Sequence, residues 1–402
     1  MIKNNLAIFG GEKKIKESFK KFNFIGKEEL DAVHDVIKTG VLSEFVGADV
    51  PEFYGGVKIK LFEDSIKEYF DVDHAIAINS WTSGIECGLK ALKVGRGDEV
   101  IVPPWTMSAT AFSIINVGAK PVFADIETDY FCIDPKDVER KITNKTKVIL
   151  PVDIYGQSAD INPLIELARK FDIKIFSDSA QSPGALYNGK KAGTIGDIGG
   201  FSFNYHKHIH CGEGGVIVTN DDELAERCRL LRNHGESKVD HHDKNIDISG
   251  HNFRMTEIEA AIAIEQMKKF PMILDLVQSQ ASKINKRLKG IEGIVPAIIR
   301  DNSTHAFYAL PIKLVAGLDL KRHEIVQALR AEGVPVTEGY RNLHKLPYFS
   351  HFKKEKLNCP NAEYLNDVSL ISIPMTAFIF NDQDINLICS AFEKVLSYFI
   401  NN

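Results

Sequence analysis

The chain of 402 residues is long enough to enclose a large hydrophobic core and to form at least two lobes. Its composition is ordinary for a globular protein, and a formal net charge of −5 argues against nucleic acid or an anionic membrane as a partner. No apolar run is as long as a transmembrane helix and the six cysteines form no CxxC pair, so we expect a cytoplasmic protein with reduced thiols.

Six short apolar runs in the first two thirds of the chain predict buried strands. They lie at residues 74–78, 99–102, 147–152, 173–176, 198–203 and 215–219. Amphipathic helical patterns at 84–92, 161–170 and 222–232 separate several of these runs. Because strands that alternate with helices form parallel sheets, we predict an α/β fold whose ligands bind beyond the carboxyl ends of the strands.

The last third of the chain begins with a long helix. A capping box at Thr256 and Glu259 predicts its start, and helical residues continue to about residue 288. From Phe307 onward, strand and helix signals recur with lower apolar density, which predicts a smaller second domain. We therefore expect a large domain over residues 1–275 and a small domain over 276–402, with the N-terminal segment packed on the small domain.

Lys207 lies in the most informative stretch, between the apolar run that ends at Phe203 and a Gly-Glu-Gly-Gly turn at 212–215. A lysine held in a pocket there would lose solvation of its ammonium group, so its pKa would fall and its amine would become a nucleophile. Such an amine can form a Schiff base with an aldehyde cofactor. The alternative is a solvated lysine at the end of a strand.

Two turns between a predicted strand and the following segment are candidates for cofactor contacts. Thr82 and Ser83 open a predicted helix, where hydroxyls and backbone N–H groups can hold a phosphate or simply cap the helix. Trp105 follows the strand at 99–102 and could cover a flat ring or pack in the core.

The end of the strand at 173–176 supplies a candidate acid. Asp178 follows this apolar strand, where an ionised carboxylate needs a partner such as a pyridinium N–H, an ion pair or a helix N-terminus. Gln181 lies one turn later and could contact a ring hydroxyl, Ser202 is a further phosphate candidate, and Asn252 precedes the long helix. Together these groups match pyridoxal 5′-phosphate, which has a phosphate, a flat ring, a ring nitrogen and an aldehyde.

The sequence resembles the DegT/DnrJ/StrS family of sugar aminotransferases. The resemblance covers most of the chain and depends on the motifs at 97–103, 121–126, 155–160, 178–181, 201–203 and 212–215, in this order. It implies the type I fold of pyridoxal-phosphate-dependent transferases. That fold has a large domain with a mostly parallel seven-stranded sheet and a smaller C-terminal α/β domain.

The resemblance also implies roles for the candidate residues. Lys207 matches the Schiff-base lysine in its spacing from both flanking motifs, Asp178 the partner of the pyridine nitrogen, Gln181 the partner of the ring hydroxyl and Trp105 the stacking aromatic. The family's phosphate ligands correspond to Thr82, Ser83 and Ser202. Asn252 matches an asparagine that reaches the phosphate of the neighbouring subunit, which implies a homodimer with two shared active sites.

The resemblance implies transfer of an amino group from glutamate or glutamine to a keto sugar, with pyridoxamine 5′-phosphate formed in the half-reaction. A nucleotide-linked sugar of surface polysaccharide or secondary metabolism is the first expectation. Tyr340 and His344 are candidates for the acceptor side, and no metal, nucleic acid or membrane is expected. The chain departs from the family at Trp81 (usually glycine), Asp153 (often histidine) and 341–342, which leaves the acceptor open.

Four alternatives remain at the level of sequence. The acceptor could be a cyclitol ketone of the scyllo-inosose type, which the residues at 6–11 suggest. A keto-sugar 3-dehydratase that uses the same cofactor is a second alternative, and a regulator that binds the cofactor without catalysis is a third. A zinc hydrolase built on His206, His208 and His210, which share one face of a strand, is a remote fourth, with Cys211, His241 and His242 as further candidate ligands.

Overall fold

The computed structural model describes residues 5–47, 50–235, 248–352 and 358–401. Its strands are β1 Lys20–Lys21, β2 His74–Ile78, β3 Glu99–Val102, β4 Lys120–Phe123, β5 Thr146–Ile149, β6 Lys174–Asp178, β7 Leu186–Tyr187, β8 Lys190–Lys191, β9 Ile198–Ser202, β10 Gly215–Thr219, β11 Ile294–Pro296, β12 Ala309–Leu314, β13 Leu370–Pro374 and β14 Phe378–Ile379. Its helices are α1 Lys27–Thr39, α2 Val57–Phe70, α3 Trp81–Ala91, α4 Ser108–Asn116, α5 Pro135–Lys141, α6 Ile161–Phe171, α7 Asp222–Arg232, α8 Glu257–Leu288, α9 Arg322–Ala331, α10 Pro360–Tyr364 and α11 Asp382–Ile400. Across these described ranges, no helix combines the length and the apolar character needed to cross a membrane.

A seven-stranded sheet with the strand order β2-β10-β9-β6-β5-β3-β4 forms the centre of the fold. Within this sheet β10 runs antiparallel to both of its neighbours, and the other paired strands are parallel. The predicted α/β class and the mostly parallel sheet are therefore confirmed. The strand β4 was not among the six predicted runs, because it begins with Lys120 and Pro121 and only alternate residues of it are buried.

Helices cover both faces of this sheet, and the alternation of side chains along β10 shows how. Ile217 faces a core that it shares with residues of α3, whereas Val216 and Val218 face a core that they share with α2 and α8. Burying both faces of a strand favours the continuous apolar runs from which the strands were predicted. The same enclosure leaves the ends of the strands as the place where polar side chains can meet a ligand.

The long helix α8 begins as predicted. The hydroxyl of Thr256 accepts a hydrogen bond from the N–H of Glu259, and the Glu259 carboxylate accepts one in return from the N–H of Thr256. This capping box satisfies backbone donors that the first turn of a helix leaves without partners. The helix then continues to Leu288, through the predicted domain boundary at residue 275, which stays a prediction.

The C-terminal part of the chain has its own antiparallel sheet, in the order β11-β12-β13. Its apolar core combines residues of this sheet with residues of α9, α11 and the last turns of α8. Leu6, Ile15 and Phe19 from the N-terminal segment belong to the same core, and β1 pairs with β14. The N-terminal segment therefore contacts this part of the molecule, on which it was expected to pack.

Candidate active site

A cavity of about 490 Å³ opens where the carboxyl ends of β6 and β9 meet the N-terminus of α3. Six of the predicted site residues line it together, and they are Thr82, Asp178, Gln181, Ser202, Lys207 and Tyr340. They come from separate segments of the chain, and the parallel arrangement of the strands brings them to one edge of the sheet. The predicted shared cleft is therefore present in the structure.

Lys207 lies in the turn that follows β9. Its backbone N–H donates to the carbonyl of Asn204 at 2.9 Å, which holds the turn, and its Nζ lies 4.7 Å from the centre of the Tyr308 ring. Burial of the amine lowers the pKa of Lys207 to about 8, and the Asp178 carboxylate opposes this shift. A lysine in this state supplies both a free amine and an ammonium near neutral pH, which suits a nucleophile and a proton carrier.

Asp178 is buried at the end of β6, and both of its carboxylate oxygens accept hydrogen bonds. The Trp81 indole N–H donates to Oδ1 at 2.7 Å, and the Thr110 hydroxyl donates to Oδ2 at 2.8 Å. The N–H of Ala180 also donates to Oδ1, at 3.2 Å. Among the described residues no lysine, arginine or histidine forms an ion pair with this carboxylate. A cationic ring N–H in the cavity could form the close ion pair that this carboxylate lacks among the described residues.

The N-terminus of α3 forms another wall of the cavity. Ser80 caps this helix, because its Oγ accepts the N–H of Ser83 at 3.1 Å and lies 2.9 Å from the Ser83 hydroxyl. Thr82 and Ser80 line the cavity, whereas the Ser83 hydroxyl is engaged in the cap. Ser202 lines the cavity from β9. Hydroxyls beside a helix N-terminus can bind a phosphate.

Gln181 connects the cavity to a tyrosine from the C-terminal part of the chain. Its Oε1 accepts the N–H of Tyr155 at 2.8 Å, and its Nε2 donates to the Tyr340 hydroxyl at 2.7 Å. A second cavity of about 520 Å³ adjoins the first and shares Tyr308 and Tyr340 with it. Its wall also includes Lys21, Thr337 and Ser372. The second cavity therefore leaves room for a substrate beside any cofactor bound in the first cavity.

Comparison with known proteins identifies the family. The sequence profile of the DegT/DnrJ/EryC1/StrS aminotransferase family matches residues 25–393. The chain belongs to this family.

Its relatives include GDP-perosamine synthase of Caulobacter vibrioides, which is 34% identical over 83% of this chain and 89% of that protein. An aminotransferase from Psychrobacter cryohalolentis has the same fold, with a TM-score of 0.86, 28% identity and coverage of 96% of this chain and all of the other. The sugar aminotransferase Spr1654 from Streptococcus pneumoniae, described as putative and solved in its PLP form, superposes with a TM-score of 0.83 at 26% identity, over 96% of this chain and all of that one. The predicted family and the predicted type of enzyme, an aminotransferase, are confirmed.

Two residues with predicted roles in this family member do not reach the cavity. Trp105 is fully buried, its indole N–H donates to the Tyr155 hydroxyl at 3.1 Å, and Met107 lines the cavity two residues further on. The ring-covering role predicted for Trp105 is therefore corrected to core packing. His344 is buried as well, and its Nε2 lies 3.0 Å from a carboxylate oxygen of Glu363. This ion-pair geometry makes His344 a packing residue rather than part of the acceptor site.

Asn252 is exposed at the surface of its own chain. Its side-chain oxygen accepts hydrogen bonds from the backbone N–H of Arg254 at 3.4 Å and from the Arg254 Nε at 2.9 Å. It does not line either cavity. The predicted contact of Asn252 with the phosphate of a neighbouring subunit stays a prediction.

The three histidines of the zinc alternative do not converge. His206 lies at the cavity, whereas the buried His208 donates from Nε2 to the carbonyl of Ala306 at 2.8 Å. Burial lowers the pKa of His208 to about 4, so it is neutral at physiological pH. Within the described ranges, no three histidine, cysteine or carboxylate side chains are grouped as metal ligands. His241 and His242, the remaining candidates, lie outside the described residues.

Three residues of the site were not predicted from the sequence. Trp81 was noted only as a departure from the family pattern, yet its indole contacts Asp178. Thr110 was not singled out, and it contacts the same carboxylate from the first turn of α4. Tyr308 lies over the Lys207 amine from the segment before β12. These contacts join residues far apart in sequence, and no local pattern carries a signal for them.

Proposed function

We propose that this protein is a pyridoxal-phosphate-dependent aminotransferase that transfers an amino group from glutamate or glutamine to a keto sugar. The observation that carries the proposal is the pairing of two groups in one cavity. Asp178 is a buried carboxylate that forms no ion pair with a described residue and acts on the Lys207 amine only at longer range. Burial lowers the pKa of that amine to about 8. One group suits a protonated ring nitrogen and the other suits an aldehyde.

The residues present fit each part of this cofactor. Asp178 could hold the ring nitrogen, Lys207 could bond the aldehyde carbon, and the N-terminus of α3 with Thr82 and Ser202 could bind the phosphate. Gln181 is fixed by two hydrogen bonds at a position that suits a ring hydroxyl. When bound, the cofactor would supply an electron-accepting ring and an aldehyde, which the side chains of a protein lack.

The chemistry that remains for the protein is proton transfer and orientation. Lys207 would accept a proton from the α-carbon of the amino donor at its Nζ and return it to the carbon on the other side of the donor nitrogen, as general base and then acid. A pKa of about 8 lets the same atom serve in both directions near neutral pH. Asp178 would keep a ring proton in place, because hydrogen bonds from Trp81 and Thr110 hold both oxygens of its carboxylate.

We assign the acceptor to the second cavity, beside Tyr308 and Tyr340. It contains the hydroxyls of Thr337 and Ser372, which lie 2.7 Å apart as a hydrogen-bonded pair and retain capacity to bond a sugar. It also contains the ammonium of Lys21, which can attract a phosphate. A nucleotide-linked keto sugar therefore suits its chemistry, and the relative named GDP-perosamine synthase supports this choice. A cyclitol ketone is the alternative acceptor, and dehydration without amine transfer is the alternative reaction.

We also propose a homodimer whose active sites are shared, supported by the surface position of Asn252 outside its own cavity. Mixing two inactive variants tests this. In a mixed dimer of Lys207→Ala and Asn252→Ala chains, one site would combine an intact Lys207 with an intact Asn252 from the other chain. Activity should therefore return on mixing after denaturation and refolding. If each mixture stays as inactive as its parents, although mixed dimers form, the sites are not shared.

The cofactor and the reaction can be tested in sequence. We expect a yellow protein whose colour is bleached by borohydride, with one pyridoxyl group attached at Lys207 in peptide mass spectrometry. The pyridoxamine form should then be mixed with a panel of ketones, including nucleotide-linked keto sugars and scyllo-inosose. An aminated product from one of them supports the proposal. A colourless protein that takes up no cofactor, or dehydration without amine transfer, contradicts it.

A further inference from the structure

We propose that Trp81 is a positioning residue for Asp178, and that this chain uses an indole to fix the carboxylate that would hold the ring nitrogen of its cofactor. The inference rests on the proposed function for the identity of that cofactor. The contact itself belongs to the protein and exists without any ligand, because the indole Nε1 lies 2.7 Å from Asp178 Oδ1.

The hydrogen bonds around Asp178 determine the orientation of its carboxylate. Trp81 donates to Oδ1 and Thr110 donates to Oδ2, so the two oxygens are held from different elements, α3 and α4. A carboxylate held at both oxygens cannot rotate without breaking one of these bonds. The remaining lone pairs then point in a fixed direction, which is what a ring N–H in the cavity requires.

Two glycines lie against the Trp81 indole and leave space for it. An added Cβ at Gly84 would lie 2.5 Å from Ile78 Cδ1 and 2.7 Å from Trp81 Cε3. One at Gly200 would lie 2.1 Å from the Val216 carbonyl oxygen and 2.3 Å from Trp81 Cζ3. Gly84 belongs to the same helix as Trp81, and Gly200 belongs to β9. Glycine inside a helix or strand is unfavourable unless something needs the space. The two glycines therefore permit a large ring at Trp81, whose side chain is buried.

The contact can be measured in the protein without cofactor. The chain contains two tryptophans, so a ¹⁵N-labelled sample gives two indole N–H signals, and Trp105→Phe assigns them. We expect the Trp81 signal to lie far downfield because its acceptor is a carboxylate, and to move upfield in Asp178→Asn. The Trp105 signal, whose acceptor is the Tyr155 hydroxyl, should stay in place. A Trp81 signal that ignores Asp178→Asn would overturn the proposal.

A second measurement tests the consequence for the cofactor. Trp81→Phe keeps an aromatic ring in the niche and removes the N–H, so kcat should fall about tenfold while KM for donor and acceptor changes little. Affinity for pyridoxal phosphate, followed by absorbance, should fall by a similar factor. Trp105→Phe is the matched control and should leave the cofactor spectrum and affinity unchanged. Gly84→Ala should reproduce part of the Trp81→Phe effect by displacing the ring.

The two sets of outcomes separate this inference from the proposed function. If the wild-type protein binds no pyridoxal phosphate, the proposed function fails, while the indole signal still reports whether Trp81 holds Asp178. If the cofactor binds and Trp81→Phe leaves kcat and affinity at wild-type levels, the proposed function stands and the positioning role is refuted. A variant that loses its fold is recognised by its circular dichroism spectrum, and Gly84→Ala then carries the test.

Discussion

Lys207 should expose a free amine at a much lower pH than an ordinary lysine. Burial lowers its pKa to about 8, although the Asp178 carboxylate pulls in the opposite direction. At pH 7 about one such amine in eleven is neutral, compared with about one in three thousand for a lysine with a pKa near 10.5. The fraction of Lys207 present as the neutral, nucleophilic amine is therefore about 300-fold higher than that of a solvated lysine.

Competitive trace acetylation of the protein without cofactor measures this directly. The modification of each lysine is quantified by peptide mass spectrometry across a series of pH values, because acetic anhydride reacts with neutral amines. Lys147, which is exposed, serves as the internal reference in the same sample. We expect the reactivity of Lys207 to reach half its maximum near pH 8. A midpoint at or above pH 10 would refute the reasoning from burial.

A substitution at Asp178 tests the direction in which this carboxylate shifts the pKa of Lys207. The carboxylate favours the ammonium form, so Asp178→Asn should move the midpoint of Lys207 further below about 8. Glu213→Gln is the matched control, because Glu213 lines the same cavity and is not among the groups that shift this pKa. The explanation fails if Asp178→Asn raises the midpoint, or if both substitutions lower it equally.

Three further substitutions probe the acceptor side and the core. Tyr340→Phe removes the hydroxyl that accepts the Gln181 amide at 2.7 Å, so steady-state kinetics should show KM for the ketone raised about tenfold and Lys207 still modified by cofactor. Glu63→Gln removes the partner of Arg232, whose side chain is fully buried, and should lower the free energy of unfolding in urea by about 3–5 kcal/mol. His344→Gln should leave kcat and KM within about twofold of wild type, because His344 packs outside both cavities, and a larger change in KM would return it to the acceptor site.

The sheet and its cleft were predictable because burial on two faces leaves a strong trace in sequence. The predictions for β2, β3 and β10 agree residue for residue with the structure, and so does that for α7. Lys207 and Asp178 follow two neighbouring parallel strands, so the edge where the strands end brings them together without further information. The start of α3 was predicted three residues late, since Trp81 and Thr82 are indifferent helix formers.

The direction of side chains beyond the strand ends was not predictable. Trp105 and Met107 both follow β3, and strand alternation no longer decides there which of them faces the cavity. Turn geometry decides it, and it directs Met107 to the cavity and Trp105 to the core. The placement of His344 depends on Glu363, which comes from a separate turn of chain. Such pairings depend on tertiary contacts between distant residues, which a single sequence does not encode in any local pattern.

Gly88 shows that a position that looks weak in sequence can be required by packing. Alanine is favoured over glycine inside a helix by about 1 kcal/mol, so sequence alone predicts that Gly88→Ala stabilises α3. In the structure an added Cβ would lie 2.5 Å from two atoms of the Phe176 ring and 3.2 Å from Ile198 Cδ1. Phe176 is fully buried in β6, and overpacking a buried site typically costs about 1–3 kcal/mol.

The packing cost should therefore exceed the gain in helix propensity, and Gly88→Ala should lower the melting temperature of the protein without cofactor. Gly95→Ala is the matched control, because a Cβ there meets no atom within 4 Å. We expect this control to be neutral within about 0.5 kcal/mol. Because Phe176 lies two residues before Asp178, displacement of its ring should also weaken cofactor binding. A Gly88→Ala protein that melts above wild type would show that helix propensity, not the aromatic contact, governs this position.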